Sequence, residues 1–168
     1  MDREQLRAVQ TPLKERYRSE PEQALVTLSA TGSLGEGVSC SVQTGRALAA
    51  AGLHPASGGD GSLLCSGDML LEALVACAGV TLRAVAISLG IEIVSGAVRA
   101  EGELDFRGTL GVDRDAPVGF RAIRLSFDLD TDADDEQLST LLRLTERYCV
   151  VFQTLNTRPE LSAEIARG

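Results

Sequence analysis

The sequence contains no tryptophan, and it has only two tyrosines and four phenylalanines among its 168 residues. Hydrophobic residues nevertheless make up 44% of the chain. Aliphatic side chains must therefore build most of the core, because few aromatic rings are present to fill it. A chain of this length is about the size of one typical domain and is long enough to bury such a core.

Basic residues are also scarce. The chain carries 16 Lys and Arg residues against 24 Asp and Glu residues, which gives a formal net charge of −8 at pH 7. Proteins that bind nucleic acids neutralise phosphate groups with clustered Lys and Arg side chains. The acidic balance and the lack of a basic stripe in the sequence therefore argue against a nucleic-acid partner.

Long apolar runs without a charge are missing as well. The opening stretch MDREQLRAVQ is charged from its second residue, so it lacks the apolar run of a secretory signal. Nowhere in the sequence do the roughly 18 apolar residues of a membrane span occur without a charge. We therefore expect a cytoplasmic protein with no membrane partner.

The four cysteines, Cys40, Cys65, Cys77 and Cys149, form no CxxC or CxH pair, so their spacing does not predict a zinc site. Structural disulfides are rare in cytoplasmic proteins, which leaves core packing or thiol chemistry for these residues. The single histidine, His54, precedes a proline in a predicted loop and has no acidic neighbour in sequence. We expect its side chain to be solvated.

The N-terminal residues differ from the rest of the chain. Residues 2–19 are rich in charge and only weakly periodic, which favours a helix or an extended arm. Regular patterning begins at about residue 24 and continues almost to the end. We therefore predict an N-terminal arm or helix at residues 1–23 and a single domain at residues 24–168.

Two strands and a long loop are predicted next. From Ala24 apolar residues alternate with polar ones, which predicts a strand, and a turn follows at residues 32–37. Residues 38–42 alternate in the same way and predict a second strand, with Cys40 on its apolar face. Residues 44–67 are rich in Gly, Ala and Ser and predict a long loop, a feature that in a compact domain is usually functional.

A long helix is predicted from about Asp68 to Leu89, where apolar residues recur at helical spacing. Beyond its first residue, its charges are Glu72 and Arg83 alone, so the helix is apolar nearly all round. We expect such a helix to be central and buried, with a sheet covering one side and a second subunit covering the other.

The C-terminal half predicts a hairpin, a helix and a final strand. Apolar and charged residues alternate at 98–106 and again at 123–130, which is typical of two antiparallel strands. A helix should begin near Asp134, and residues 161–165 predict a last strand. One face of this helix is predicted to carry Leu138, Leu141, Leu142, Thr145, Tyr148 and Cys149. The fold class is α+β, with an antiparallel sheet around a central buried helix.

Two segments, SGDMLLEALVACAGVTLRAVA and TERYCVVFQTL, resemble the two cysteine motifs of the OsmC/Ohr family of thiol-dependent hydroperoxide reductases. The family typically reads SPxELLxAALxxC around its first cysteine and E-x-x-CPV-x-x-x-L around its second. Together with the order of strands and helices, the resemblance covers residues 24–165. It implies an OsmC-like α+β fold that forms an interlocked homodimer with both active sites at the interface.

The resemblance implies a role for each of two thiols. Cys77 matches the peroxidatic cysteine of the family, and Cys149 matches the resolving cysteine. A thiolate attacks the hydroperoxide and becomes a sulfenic acid, which the second thiol converts to a disulfide. Val150 departs from the motif, because the family has proline after its second cysteine.

The family also uses an arginine, oriented by a carboxylate, to hold the thiolate. Asp68 occupies the carboxylate position, nine residues before Cys77. By order along the chain Arg46 is the best candidate for the arginine, with Arg16 and Arg18 behind it.

The implied activity is reduction of organic hydroperoxides by a cysteine-based peroxidase. The resemblance implies no metal, flavin or haem, and it implies that an external dithiol or a lipoylated protein reduces the disulfide. Two other functions stay open. One is a non-catalytic protein that binds an apolar ligand in the same pocket, and the other is a redox sensor that passes its oxidation state to a partner.

Overall fold

The structure, a computed structural model, describes residues 2–5, 8, 10–11, 19, 32–34, 39–44, 47–111 and 113–167. Two compact units make up the chain. The first contains Met1–Glu72 and Arg99–Phe127, and the second contains Ala73–Val98 and Asp128–Gly168. In the N-terminal part, the described positions 3–5, 8, 10–11 and 19 are helical. The predicted division at residues 23 and 24 lies outside the described residues and stays a prediction.

The first unit contains a four-stranded sheet in the order β1-β2-β3-β4. Its strands are β1 (Gly32–Leu34), β2 (Ser39–Thr44), β3 (Ala47–Gly52) and β4 (Leu64–Cys65). The first three strands pair antiparallel, and β3 pairs parallel with β4. The second predicted strand is confirmed as β2, in which Cys40 pairs with Leu34 on one side and Ala51 on the other.

Two predictions in this region are wrong. Residues 32–34 form a strand where the sequence predicts a turn, and the predicted loop at 44–67 contains β3 and β4. Alanine and glycine have low strand propensity, so the segment ALAAAG gives no strand signal of its own. Pairing with β2 along six residues holds it extended. The strand predicted from Ala24 lies outside the described residues.

A long helix, α1 (Ser66–Leu89), confirms the predicted helix and begins two residues earlier. Its buried residues form one stripe, comprising Leu74, Ala78, Leu82, Val85 and Ala86. Val80 is 73% exposed, so the single chain covers one face of the helix. By length and composition alone α1 is apolar enough to cross a membrane, with a mean hydropathy of 1.9, but core helices of soluble proteins pass the same test. Cover by a second subunit stays a prediction.

The predicted hairpin is confirmed as a two-stranded sheet of β5 (Ser95–Leu104) and β6 (Phe120–Asp130). The strands run antiparallel, because Gly96 lies against Leu129 whereas Gly102 lies against Phe120. Charged side chains of β5 alternate outward as predicted. Phe106, predicted as the end of the first strand, instead begins a short helix, α2 (Phe106–Thr109), because the Asp105 carboxylate caps that turn.

The predicted helix near Asp134 is confirmed as α3 (Asp135–Tyr148). The Asp134 side chain accepts a hydrogen bond from the N–H of Gln137 at 2.8 Å, and the Gln137 side chain accepts one from the N–H of Asp134 at 3.0 Å. This reciprocal pair is a capping box, which fixes where the helix begins. Leu141 and Thr145 are buried as predicted, whereas Leu142 and Tyr148 are exposed.

The last helix that the structure describes, α4 (Val150–Asn156), follows α3 after a single residue. The final strand predicted at 161–165 is wrong, because residues 158–167 have no regular secondary structure. Leu161 and Ile165 are 82% and 95% exposed. An alternating pattern makes a strand only where a neighbouring strand accepts its hydrogen bonds, and none of the described strands pairs with this segment.

We predict that Asp134→Ala lowers the free energy of unfolding by about 1 kcal/mol, because the first turn of α3 loses its capping partner. Urea denaturation followed by circular dichroism measures this change. Asp132→Ala is the matched control, since it removes the same charge from an exposed position outside the capping box. Equal unfolding energies for the two variants would show that the cap contributes nothing.

Candidate active site

Cys77 and Cys149 are 72 positions apart in sequence, and the structure brings them together in the second unit. Cys77 lies at the middle of α1, and Cys149 lies between α3 and α4. Both thiols are free, and they lie close enough for each to shift the pKa of the other. Two cysteines can be joined in a disulfide only where their side chains are neighbours, as those of Cys77 and Cys149 are.

The position of Cys149 is fixed by the ends of two helices. It is the C-cap residue of α3 and the N-cap residue of α4, with φ −73° and ψ 110°. Its N–H donates to the Thr145 carbonyl and its own carbonyl accepts from the Gln153 N–H, both at 2.9 Å. The Gln153 side chain donates to the Glu146 carbonyl at 2.8 Å and ties the two helices together. The Cys149 residue is fully buried, with 0% exposed.

The Cys77 thiol is half-buried and receives several hydrogen bonds. Burial is the largest single influence on its pKa and raises it. Hydrogen bonds from the Val151 N–H, the Cys149 thiol, the Val150 N–H and the Thr81 hydroxyl act in the opposite direction and together outweigh burial. The pKa of Cys77 therefore lies below the usual value for a thiol, since these donors favour the charged form.

The pKa of Cys149 is shifted in the opposite direction. Burial raises it most, and the hydrogen bond and negative charge of Cys77 raise it further. The N–H groups of Phe152 and Val151 oppose this shift without cancelling it. Cys77 is thus the thiol that ionises first, while Cys149 keeps its proton. Unequal environments of this kind separate a nucleophile from its partner.

The sequence analysis did not identify the groups that donate hydrogen bonds to the Cys77 sulfur. Val150 stands where the resembled motif has proline, and proline has no N–H to donate. The departure from the motif therefore adds a hydrogen bond to Cys77. Thr81 could have been found from its spacing, because a residue four positions after Cys77 lies on the same face of the helix.

Asp68 is described by the structure, whereas the candidate arginines are not. Asp68 is exposed in the first turn of α1, two and a half turns before Cys77. Its side chain lines a cavity of about 480 Å³ in the first unit. Arg46, Arg16 and Arg18 lie outside the described residues, so their predicted role stays a prediction.

The same cavity is lined by His54, which the sequence predicted to be solvated, and by Cys65. His54 is half-buried: its Nδ1 accepts from the Ala56 N–H at 3.0 Å, and its ring stacks on Phe106 at 5.0 Å. The expectation of a solvated histidine is therefore wrong, because the ring caps a short 3₁₀ turn at Pro55–Ser57. Cys65 is half-buried in β4 and also lines the cavity.

Among the residues that the structure describes, no group of three or more His, Cys, Asp and Glu side chains is placed to hold a metal ion. The chemistry that this site offers rests on sulfur. One thiol has a lowered pKa, and a second thiol with a raised pKa lies beside it.

The sequence profile of the family described as OsmC-like protein matches residues 59–164, which is more than half of the chain. The match includes Cys77, Cys149 and both motifs. Comparison with curated protein sequences gives no significant match.

Solved structures share the fold at low sequence identity. An OsmC-like protein from Mycoplasma pneumoniae is 18% identical with a TM-score of 0.66, and the match covers 79% of this chain and 89% of that one. An OsmC-like protein of unknown function from Vibrio cholerae is 12% identical with a TM-score of 0.64, covering 79% and 96%. A Legionella pneumophila protein described as an organic hydroperoxide resistance protein is 16% identical with a TM-score of 0.61, covering 78% and 90%.

We predict that Val150→Pro raises the pKa of Cys77 and slows its alkylation by iodoacetamide at neutral pH about threefold, because one donor to the thiolate is lost. Proline suits the first position of a helix, and Cys149 before it is already extended, so the fold should persist. Site-resolved mass spectrometry measures the alkylation rate against pH.

Val150→Ala is the control for this variant, since it shortens an exposed side chain but keeps the N–H. A Val150→Pro profile that overlays the Val150→Ala profile would contradict the assignment of Val150 as a donor.

Proposed function

The chain belongs to the OsmC-like protein family, and from this premise we propose that it is a peroxidase that reduces organic hydroperoxides to alcohols. The observation that carries the proposal is the contact between Cys77 and Cys149, whose pKa values are shifted in opposite directions. The Legionella pneumophila protein of the same fold, described as an organic hydroperoxide resistance protein, supports the choice of substrate.

The first half-reaction consumes the thiolate of Cys77. Its sulfur attacks the terminal oxygen of the hydroperoxide ROOH, the O–O bond breaks, and the alkoxide takes a proton to leave as the alcohol ROH. Cys77 is oxidised to a sulfenic acid, Cys–SOH, by this two-electron step. The lowered pKa of Cys77 raises the fraction of thiolate that is available for attack at neutral pH.

The second half-reaction joins the two sulfurs. Cys149 attacks the sulfenic sulfur of Cys77, a disulfide forms, and the hydroxyl group leaves as water. Part of the raised pKa of Cys149 comes from the hydrogen bond and charge of Cys77. Oxidation of Cys77 removes that charge, so Cys149 gives up its proton more easily once the first step is complete. The charge of reduced Cys77 thus opposes deprotonation of Cys149 until the first step is complete.

Turnover requires a reductant from outside the chain. We propose that a small dithiol or a lipoylated protein supplies two electrons and two protons and returns both cysteines to thiols, while the reductant itself becomes a disulfide. Arg46 and Asp68 keep their proposed roles as the cationic partner and its orienting carboxylate.

The surface near the thiols suits an organic substrate. Val80 lies one turn after Cys77 on α1 and is 73% exposed, and Val150, next to Cys149, is 69% exposed. Leu74 and Ala78 on the same helix are buried. An alkyl or aryl hydroperoxide can contact such side chains, whereas hydrogen peroxide gains nothing from them.

The exposed apolar surface also supports the proposed interlocked homodimer with its active sites at the interface. One face of α1 is uncovered, and Leu161 and Ile165 project from the C-terminal segment. Contiguous apolar patches that a single chain leaves in water are typical of surfaces that bind another molecule. A second copy is the occupant that the family resemblance implies. We place this dimer in the cytoplasm, where dithiol reductants keep cysteines reduced.

We predict that the protein elutes as a dimer and that Val80→Glu converts it to a monomer, because a charge would be buried without a partner. Size-exclusion chromatography with light scattering measures the mass. Val118→Glu is the matched control, since it adds the same charge at a 65% exposed valine in a loop. A wild-type mass equal to one chain would refute the dimer.

We predict that one equivalent of cumene hydroperoxide converts the reduced protein to a Cys77–Cys149 disulfide within seconds. Cys149→Ser should accumulate sulfenic or sulfinic acid on Cys77, and Cys77→Ser should stay reduced at residue 149. Cys65→Ser should behave as the wild type. Mass spectrometry of peptides after rapid alkylation identifies each product.

Two outcomes would favour the other functions. Thiols that stay reduced for minutes would indicate a relative that binds an apolar ligand without chemistry. A disulfide that forms but is not turned over by dithiols or lipoylated protein would indicate a redox sensor.

A further inference from the structure

We propose that Gln153 is a positioning residue that keeps the chain bent at Cys149, so that the two thiols of the site stay side by side. Its side-chain amide donates to the Glu146 carbonyl, which in one continuous helix would accept from the Val150 N–H. The inference rests on the proposed peroxidase function, in which Cys149 must reach Cys77. It gives a role to a position that the second cysteine motif leaves open.

The bend at Cys149 replaces hydrogen bonds that a continuous helix would make. In an α-helix each N–H donates to the carbonyl four residues earlier, which would pair Val150 with Glu146. Cys149 instead has a ψ of 110°, far from the helical value of about −42°. Its own N–H and carbonyl keep helical hydrogen bonds of 2.9 Å on either side. The N–H groups of residues 150–152 act on the two thiols instead.

The carbonyl that the bend leaves without its helical donor is filled by a side chain. Nε2 of Gln153 donates to the Glu146 carbonyl oxygen at 2.8 Å, from α4 back to α3 across the bend. Both residues are half-buried, so an unpaired carbonyl at this position would cost free energy. The amide therefore stabilises the bent chain and occupies the acceptor that a continuous helix would need.

Val150 makes this contact necessary. Proline, which follows the second cysteine in the resembled motif, has no N–H and cannot join the two helices by a hydrogen bond. Val150 has an N–H, so in this chain the bend competes with a continuous helix. By occupying the Glu146 carbonyl, Gln153 leaves the Val150 N–H available to Cys77, whose pKa that hydrogen bond lowers.

The test measures how often the buried thiol of Cys149 becomes accessible. Its alkylation by iodoacetamide is followed in the reduced, full-length protein by site-resolved mass spectrometry. Gln153→Met removes the donor and keeps the length of the side chain, whereas Gln153→Lys restores a donor that can reach the last carbonyls of a helix. Asp134→Ala is the control for a general loss of stability, because it removes the cap at the opposite end of α3.

We expect Gln153→Met to speed the alkylation of Cys149 about fivefold, which corresponds to the loss of one hydrogen bond. Gln153→Lys should stay within about twofold of the wild type, as should Asp134→Ala. The inference is overturned if Gln153→Met leaves the rate unchanged, or if Asp134→Ala speeds the alkylation as much as Gln153→Met does.

A double variant tests the competition with the Val150 N–H directly. In Val150→Pro no N–H can return to the Glu146 carbonyl, so adding Gln153→Met should change the alkylation of Cys149 by less than about twofold. An equal acceleration in both backgrounds would contradict the inference, because Gln153 would then add only general stability. If circular dichroism shows that Gln153→Met alone does not fold, a folded double variant supports the inference and an unfolded one overturns it.

The peroxide reaction separates this inference from the proposed function. If the wild type forms no disulfide with cumene hydroperoxide, the peroxidase function fails, yet the alkylation rates still decide whether Gln153 holds the bend. If the wild type reacts, Gln153→Met should convert Cys77 to sulfinic acid about fivefold more often, because Cys149 is less often in place to form the disulfide. An unchanged product ratio beside faster alkylation of Cys149 would refute a positioning role in the reaction.

Discussion

The site depends on one bend in the backbone, at Cys149, where α3 ends and α4 begins without an intervening loop. The bend has two effects at once. It buries the Cys149 side chain completely, and it leaves the first N–H groups of α4 without carbonyl partners inside their own helix. N–H groups of this first turn lower the pKa values of both thiols. The bend at Cys149 thus contributes both burial and hydrogen-bond donors to the difference between the two pKa values.

The opposite shifts of the two thiols follow from how each balances burial against hydrogen bonding. Burial raises the pKa of both. Cys77 is half-exposed and accepts from several donors, whereas Cys149 is fully buried and faces the negative charge of its neighbour. Because the negative charge is a property of reduced Cys77 alone, the environment of Cys149 changes when Cys77 is oxidised. The two thiols are therefore coupled, because the state of Cys77 changes the pKa of Cys149.

The sequence predicted those features that are local and periodic. Helix α1 and the ribbon of β5 and β6 follow from apolar spacing, and the start of α3 follows from the acidic residues at Asp134. Features that depend on distant partners were missed. Strand β3 has a segment of alanines that only β2 holds extended, and the segment around Leu161 lacks the partner that its alternation suggested.

The candidate site was predicted to a similar extent. The two motifs identified Cys77 and Cys149, and the structure brings these residues into contact. Burial has the largest influence on both pKa values, and it depends on the whole fold. Several of the opposing donors are backbone N–H groups, which every residue except proline carries and which leave no mark in a sequence. Val150 is the exception, because its identity matters through the amide hydrogen that proline would lack.

The complete burial of Cys149 has a consequence for the return of a Cys77–Cys149 disulfide to its thiols. Thiol–disulfide exchange proceeds by attack on one particular sulfur, and the sulfur that is not attacked leaves. Cys77 would be the better leaving group because of its lower pKa, but that route requires attack on the sulfur that is out of reach. In the proposed cycle an external thiol would instead form its mixed disulfide with Cys77 and expel Cys149, whose burial makes it the poorer leaving group. The burial of Cys149 would thus direct the reductant of the proposed cycle to Cys77 and make reduction of the disulfide the more demanding of its steps.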